Sequence, residues 1–546
     1  MPMPLHPADL VDSRPVWLLQ ITWASRVYRF STEPLSLTDA AGMDLPFHNA
    51  MTAPQLEQSL DRLETEPAES SASMRVVFPV DVAAERAKGY DPVAATGELS
   101  MVLVTGPPGY PTPRQTYEQR YRLLVGRLVN PQWSEPEEAS GWMAFTLREE
   151  AWQDTQTAVP LSWRITLESW TLASLDQVGK VYPWVFGSPG VYTDSAGATQ
   201  KKGATPAYII EIAGGNVNKL LIAGHPVIAS TVTIFDSTTS QSFAVSHQTE
   251  AGFTDHGQQV AYVDITTPGA ISRTESEYWV CWDGGGGLAN PFGSGALEKL
   301  GDVLQWVLTL GTIPVDYGRW AAVAGLLNGR RVGGYINDPD VLPFDYAVEH
   351  LLPLAPISVM RGPDGLYPVH FDPDLPASQS VLHVTAGEAW TRVGAIQAER
   401  NRDDVVNALE LSYAIGHEES SRMVLVTGAR NTDDADETHT NYARISQERY
   451  GVSGSALSSA VLWEDASAQG IAADLVRFGS LQLESAPYAT AWSEGWIQVG
   501  DQLTITDAAA AWVSQRVVVY KRQPSDTGWE FLVMRDDDPA HDARAL

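Results

Sequence analysis

The sequence predicts an α+β fold that is predominantly β, multidomain, with barrel-like β domains and a helical middle segment. Short apolar runs bounded by Gly, Pro and Asp recur through both ends of the chain, a pattern typical of strands and turns. Residues 291–385 instead carry apolar side chains at helical spacing. The 546 residues exceed the size of a single core, and 44% hydrophobic content lets each domain bury its own.

These patterns divide the chain into four predicted domains. Residues 1–175 form an N-terminal β-rich domain, and residues 176–290 a β sandwich or barrel-like domain that is a possible insertion. Residues 291–385 form a helical domain with a β-hairpin. Residues 386–546 form a C-terminal β-rich domain with one helix.

Alternating apolar positions place the N-terminal strands at 16–21, 26–30, 74–78, 98–104, 121–129 and 142–147. Leu56, Leu60 and Leu63 are spaced by four and three, which predicts a helix over 53–63. In the second domain, short runs separated by Gly, Ser and Thr predict strands at 207–212, 219–222, 231–235, 242–246, 261–265 and 277–282.

Three helices are predicted in the third domain, over 297–308, 320–327 and 344–352. The Gly-Pro-Asp-Gly turn at 362–365 predicts a hairpin with strands 357–360 and 366–371. The last domain is expected to contain a helix over 466–478 and strands at 404–413, 496–505, 512–521 and 529–534.

The charge balance is strongly acidic: 36 Lys and Arg against 67 Asp and Glu give a net charge of −31. Such a chain is a poor nucleic-acid clamp, because phosphate contacts need basic side chains. Acidity is consistent with plain solubility, or with a wall along which DNA slides without binding. We expect a soluble chain made in a cytoplasm, since no secretion signal and no membrane span is visible.

Cys281 is the single cysteine, so no intrachain disulfide forms, and its neighbours Trp279 and Trp282 predict a buried strand position. The chain contains 18 tryptophans. They can stack on sugar rings or fill cores and interfaces. Because Trp17, Trp170 and Trp306 lie within apparent strands or helices, packing is favoured.

No residue of the sequence is assigned a catalytic, cofactor-binding or metal-binding role, and we predict no cofactor and no enzymatic activity. The chain has no His-Glu-x-x-His zinc helix and no phosphate-binding Walker loop. Ser453 lies between glycines whose spacing is wrong for a nucleophile elbow. His247 and His256 fall in a polar stretch and are expected at the surface.

An acidic cluster could hold a divalent cation through oxygen ligands, but a solvated loop is the preferred interpretation. Its members are Asp433, Asp434, Asp436, Glu437 and His439. A carboxylate pair for glycoside hydrolysis remains open, because such pairing is spatial rather than sequential.

Several segments resemble tail hub or baseplate hub proteins of tailed bacteriophages. SSASMRVVFPVDVAAERAKGYDPVAATGELSMVLV followed by YRLLVGRLVNPQW is similar to the first hub domain. LEKLGDVLQWVLTLGTIPVDYGRWAAVAGLLNGRRVGGYINDP and LLPLAPISVMRGPDGLYPVHF resemble the central part. RDDVVNALELSYA and VGDQLTITD resemble the later hub domain, whereas 176–290 matches least well.

This resemblance implies a homotrimer in the virion tail tip or baseplate, in which each subunit places two barrel-like domains in a ring of approximate sixfold symmetry. The ring would join a sixfold tail tube to a threefold tip. Its partners would be tail-tube or distal tail proteins and a central tip or fibre protein. DNA would pass through the lumen during ejection without specific binding.

Two other hypotheses about function are compatible with the sequence. Residues 176–290 could project outward and bind a host-surface glycan or receptor. A tail-associated cell-wall hydrolase is the third class, which the missing metal and nucleophile motifs disfavour.

Overall fold

The computed structural model describes most of the chain. The described residues are 13–59, 70–80, 82–133, 142–149, 164–193, 197–228, 231–237, 241–250, 259–265, 277–283, 286–311, 314–370, 381–387, 389–398, 405–417, 421–427, 437–439, 441–480 and 483–536. Contacts divide the chain into two units, each assembled from separate stretches. The first unit comprises Met1–Thr155, Ser358–Arg400 and Gln482–Asp537, and the second comprises Gln156–Ile357, Asn401–Leu481 and Asp538–Leu546.

The strands of the first 155 residues are β1 (Arg14–Trp23), β2 (Arg26–Ser31), β3 (Leu35–Thr38), β4 (Asp44–Asn49), β5 (Gln55–Ser59), β6 (Ser71–Val77), β7 (Thr96–Thr105), β8 (Thr112–Pro113), β9 (Tyr121–Trp133) and β10 (Trp142–Glu149). Helix α1 (Val82–Ala87) and a 3-10 turn (Pro92–Ala94) lie between β6 and β7.

These strands form a sheet that closes on itself. Antiparallel pairing runs in the order β2–β1–β7–β9–β10–β6. The two outer strands are then joined through residues 50–52: the Met51 N–H donates to the Ser31 carbonyl at 3.3 Å, and the Thr52 N–H donates to the Arg75 carbonyl at 2.9 Å. We call this structure the N-terminal barrel.

The middle of the chain contributes β11 (Trp184–Phe186), β12 (Val191–Thr193), β13 (Thr199–Lys201), β14 (Thr205–Ala213), β15 (Asn216–Ala223), β16 (Thr231–Asp236), β17 (Gln241–Glu250), β18 (Val260–Asp264), β19 (Tyr278–Asp283) and β20 (Gly334–Ile336). Its helices are α2 (Leu300–Thr309), α3 (Tyr317–Leu327) and α4 (Pro343–Tyr346), the last continued by a π turn (Ala347–Leu351) and a 3-10 turn (Leu352–Leu354).

The remaining strands are β21 (Ile357–Gly362), β22 (Gly365–His370), β23 (Leu382–Thr385), β24 (Trp390–Arg392), β25 (Gln397–Ala398), β26 (Ala408–Tyr413), β27 (Arg422–Thr427), β28 (Glu437–His439), β29 (Gly454–Ser458), β30 (Leu483–Ala491), β31 (Gln502–Asp507), β32 (Trp512–Pro524) and β33 (Gly528–Asp536). Helices α5 (Asn441–Tyr450) and α6 (Asp465–Ser480) and 3-10 turns (Trp492–Trp496, Ala508–Ala510) separate them.

In the first unit, the later strands build a second barrel-like sheet, the C-terminal barrel. Its order is β23–β31–β32–β33–β30–β24, with β23 and β31 parallel and the other neighbours antiparallel. A parallel bridge between Ala386 and Trp390 brings β23 and β24 together and closes the ring. Trp390, Tyr488, Trp512 and Phe531 fill its interior and are almost fully buried.

In the second unit, the predicted strands of 176–290 form a closed barrel in the order β14–β15–β18–β17–β16–β19. Its core includes Ile222, Ile234, Val280 and Trp282, each fully buried. The same unit contains helices α2 and α3 and a four-stranded mixed sheet, β28–β27–β26–β29, on which α6 packs. The predominantly β, multidomain fold class and the six strands predicted here are confirmed.

Three element predictions are wrong. The described part of residues 386–546 contains two helices, α5 and α6, where one was expected. The segment predicted as a helix from Leu56 contains strand β5, in which Leu56 and Gln58 are buried and the residues between and beside them are more exposed, a period of two. β5 pairs with β6 on one side and β32 on the other, and this pairing outweighs the helical preference indicated by the spacing of the leucines. Leu60 and Leu63 lie outside the described residues. The strand predicted to begin at Trp496 begins at Gln502, after a turn that requires Gly500 with φ +88°.

Candidate functional site

The two barrels of the first unit are joined edge to edge, and this junction is the most distinctive feature of the unit. Strands β5 and β32 pair antiparallel, with Gln58 opposite Arg522 and Ser59 opposite Lys521. Through this pairing the N-terminal and C-terminal strands become one continuous sheet. The chain therefore builds a double barrel from stretches that are far apart in sequence.

Arg522 lies at the centre of the junction and is only 2% exposed. Its guanidinium donates to the side-chain oxygen of Gln58 and to the Ile497 carbonyl, and lies 5.4 Å from the ring centroid of Trp529. The Gln58 amide donates in turn to the Leu123 carbonyl at 2.8 Å. This chain of bonds links β9 of one barrel to β32 of the other.

Tryptophan packing reinforces the same junction. Trp17 from β1 contacts Trp492 and Trp529 edge-on, with ring centroids 6.1 and 6.0 Å apart. Such edge-to-face pairs add to the burial of aromatic area. All three side chains belong to or pack against one core that includes residues of both barrels.

The pKa values of two titratable groups at the junction are shifted so that the neutral form is favoured. Burial raises the pKa of Tyr121 to about 12, and the nearby Glu494 carboxylate adds to the effect. Burial also raises the pKa of Glu494, against a hydrogen bond from Trp496 that lowers it. Tyr121 donates to the Ser493 carbonyl at 3.2 Å, which ties β9 to the 3-10 turn of the C-terminal barrel.

The β21–β22 hairpin also contacts both barrels. Arg122 of β9 forms an ion pair with Asp364 at the hairpin turn and donates to the Pro363 carbonyl at 3.0 Å. Tyr367 donates to the Val499 carbonyl at 2.7 Å. The hairpin, predicted from its turn residues, thus braces the double barrel, a role that local sequence does not reveal.

Among the described residues, those considered for chemistry do not come together. Ser453 is half-buried and its backbone pairs with Asn407, whose side chain accepts from the Ser453 N–H at 2.8 Å. Cys281 is fully buried in β19, as predicted. His247 lies in strand β17, opposite Val263, rather than in a loop.

Several candidates fall where placement is not described. His256, Asp433, Asp434 and Asp436 lie outside the described residues. Glu437 and His439 are placed by their backbone only, in β28. Within the described ranges, no group of three or more His, Cys, Asp or Glu side chains is arranged to hold a metal ion.

The tryptophans pack as predicted. Every tryptophan among the described residues is buried or half-buried, including Trp17, Trp170 and Trp306. In the same part of the chain, no helix combines the length and apolar character needed to cross a bilayer.

No family model and no curated protein matches the chain. Solved structures similar to it include the tail protein from Neisseria meningitidis MC58, with 8% identity, a TM-score of 0.37, and coverage of 96% of this chain and 97% of that one. Another is the prophage tail protein gp18 from Listeria monocytogenes EGD-e, with 6% identity, a TM-score of 0.34, and coverage of 93% and 97%. Both TM-scores are too low to establish a common fold.

Proposed function

We propose that this protein is a structural, non-enzymatic component of a bacteriophage tail and, within the tail, the hub at its tip or baseplate. The observation that carries the proposal is the double barrel of the first unit. The resemblance of the sequence to hub proteins implies two barrel-like domains per subunit, and the described residues contain two such sheets joined through β5 and β32.

A subunit with two barrels suits a protein that connects a sixfold tube to a threefold tip. A trimer of chains with two barrels each presents six similar positions around its axis while keeping threefold symmetry elsewhere. One face can then meet a sixfold tube of tail-tube or distal tail subunits, and the other a threefold tip or fibre. Edge pairing at β5–β32 and the buried Arg522 would hold the two barrels of one subunit at a constant spacing.

The net charge of −31 fits the same role. A lumen lined with carboxylates repels DNA and lets it pass without binding, since phosphate contacts depend on Lys and Arg. We propose that part of the excess acid lines this channel in the virion.

The oligomeric state of the full-length chain tests the proposal. Three copies of 59.4 kDa should give a particle of roughly 180 kDa by mass photometry. Averaged electron micrographs should show a ring with threefold symmetry and six barrel densities around a central hole. A chain that stays monomeric at tens of micromolar, both alone and with the tail-tube protein of the same phage, would contradict the hub assignment.

The channel charge is tested separately on the assembled ring. We expect the ring not to retard double-stranded DNA in a gel even at low salt, and its density map to place carboxylates along the hole. A basic or neutral lumen, with the acid confined to the outer face, would refute the channel role and leave the hub assignment standing.

A further inference from the structure

A groove of about 410 Å³ opens in the second unit, within the size range of small-ligand sites. Its walls come from four stretches that are distant in sequence: residues around strands β12 and β13, residue 298, residues 331–333, and residues 463–464. The side chains that line the groove include Tyr192, Thr193, Thr199, Glu298, Arg331 and Glu464. None of them belongs to the double barrel.

Two backbone segments touch at the floor of the groove, which leaves little room for either to move. A side chain at Gly187 would place its Cβ 2.2 Å from the Val332 carbonyl oxygen, and one at Gly333 would come within 3.0 Å of the Ser188 nitrogen. Trp463 is 4% exposed, and its indole N–H donates to the Gly333 carbonyl at 3.0 Å. A floor fixed in this way loses little conformational freedom when a ligand binds.

Both carboxylates are held in place. Glu464 lies just before α6, where its side chain accepts from the Ser467 hydroxyl at 2.7 Å. Glu298 accepts the Val332 N–H on its backbone carbonyl at 2.7 Å, and its side chain lies 3.6 Å from the Arg331 guanidinium. The Arg331 side chain is 60% exposed, so it can still donate to a ligand.

The other wall adds an aromatic ring and hydroxyl groups. The Tyr192 ring lies 5.1 Å from the Lys202 ammonium and 5.6 Å from the Arg422 guanidinium, contacts that fix its orientation. Thr193 and Thr199 line the groove beside it. The lining therefore combines strong acceptors, a planar donor, hydroxyls that serve as either, and aromatic carbon.

We propose that this groove binds a neutral saccharide of one or two sugar units. Vicinal sugar hydroxyls can donate to the two carboxylates and accept from Arg331, and sugar C–H groups can contact the Tyr192 side chain where it lines the groove. The lining places Glu298 and Glu464 beside Arg331, and Lys202 and Arg422 lie next to Tyr192, so the groove does not offer the surface of a single charge sign that a charged glycan or a cationic peptide would need. This inference stands independently of the hub assignment.

Saturation-transfer NMR on the full chain provides the test. The neutral probes are lactose, maltose, cellobiose and N,N′-diacetylchitobiose; sialyllactose and trilysine represent acidic and cationic ligands. The groove variants are Glu298→Gln, Glu464→Gln and Tyr192→Ala. The matched control is Glu448→Gln, which removes one carboxylate from an exposed ion pair with Arg444 on α5. Thermal unfolding curves verify that each variant is folded.

At least one neutral disaccharide should show saturation transfer, with a dissociation constant raised about tenfold or more in each groove variant and unchanged in the control. Three results would overturn the proposal: no transfer to any of the four neutral probes, equal binding by the groove variants and the parent chain, or trilysine binding that displaces the disaccharide. None of these outcomes bears on whether the chain forms a trimeric ring.

Discussion

Replacing Arg522 with methionine would remove the buried cation from the junction of the two barrels while keeping most of the side-chain volume. Arg522→Met leaves the Gln58 side-chain oxygen and the Ile497 carbonyl without this donor. Each unsatisfied buried acceptor costs about 1–3 kcal/mol. The lost cation–π contact with Trp529 adds about 1 kcal/mol, and release of a desolvated charge offsets part of the total. We expect a net loss of about 3 kcal/mol.

The matched control is Lys521, which precedes Arg522 on β32. Lys521 pairs with Glu57 across the same β5–β32 edge at 2.9 Å, but these side chains are 32% and 67% exposed. An exposed pair contributes less than about 1 kcal/mol. If Lys521→Met has little effect, the stability of the junction comes from the buried contacts of Arg522 and not from every side-chain contact between β5 and β32.

Hydrogen exchange resolved by mass spectrometry measures the effect locally. A loss of about 3 kcal/mol corresponds to roughly 100-fold faster exchange in peptides that cover β5 and β32. Peptides of the closed barrel in the second unit should be unaffected. Equal acceleration by Arg522→Met and Lys521→Met, or no acceleration by either, would refute the assignment of Arg522 as the residue that stabilises the junction.

Three further outcomes are expected. Glu494→Gln should raise the free energy of unfolding at neutral pH, because a raised folded-state pKa means that the ionised carboxylate destabilises the fold. Denaturation curves should show the difference in unfolding free energy between the variant and the parent chain shrinking as the pH falls through that pKa. In α3, Gly325→Ala should stabilise by about 0.5–1 kcal/mol, whereas Gly126→Ala, whose Cβ would lie 1.8 Å from the Arg148 carbonyl oxygen, should destabilise by about 3 kcal/mol in the same assay. Cys281 should resist maleimide labelling until its barrel opens; labelling at the rate of a free thiol would contradict its burial.

Strand positions could be predicted from the sequence because each strand carries its own alternation. The six strands of 176–290 were located in this way, yet their closure into a barrel depends on pairings such as β14 with β19, between segments about 70 residues apart. No local pattern encodes such a partner. The predicted helix at Leu56 failed for the same reason, since pairing with β6 and β32 decided its conformation.

The role of Arg522 was hidden by a bulge. Val517 and Val519 point into the core, and strict alternation would make Lys521 the next inward residue. The register between β32 and β33 shifts between Val519 and Lys521, so Arg522 faces inward instead. A β-bulge leaves little trace in a sequence, and Arg522 stands between Lys521 and Gln523, a polar setting that is typical of an exposed position.

The groove residues could not be predicted together because they come from four distant stretches. Glu464 had a signal of its own, an acidic run just before a predicted helix with a serine three positions on, which is typical of a helix start. Nothing in the sequence brings it near Glu298, 166 positions earlier, because that proximity depends on the Val332 and Gly333 N–H groups, which donate to the Glu298 and Val461 carbonyls.

The pairing of β5 with β32 joins residues separated by 464 positions, and this separation has a consequence in time. At 5–20 residues per second, a ribosome needs roughly 20 to 90 s between making Gln58 and making Arg522. For that interval one edge of the N-terminal barrel has no partner strand, while neighbouring nascent chains on the same message carry the same open edge. Exchange of β32 between chains is therefore a hazard during synthesis, and the rate of translation through the last part of the message becomes a determinant of how much correctly paired protein is produced.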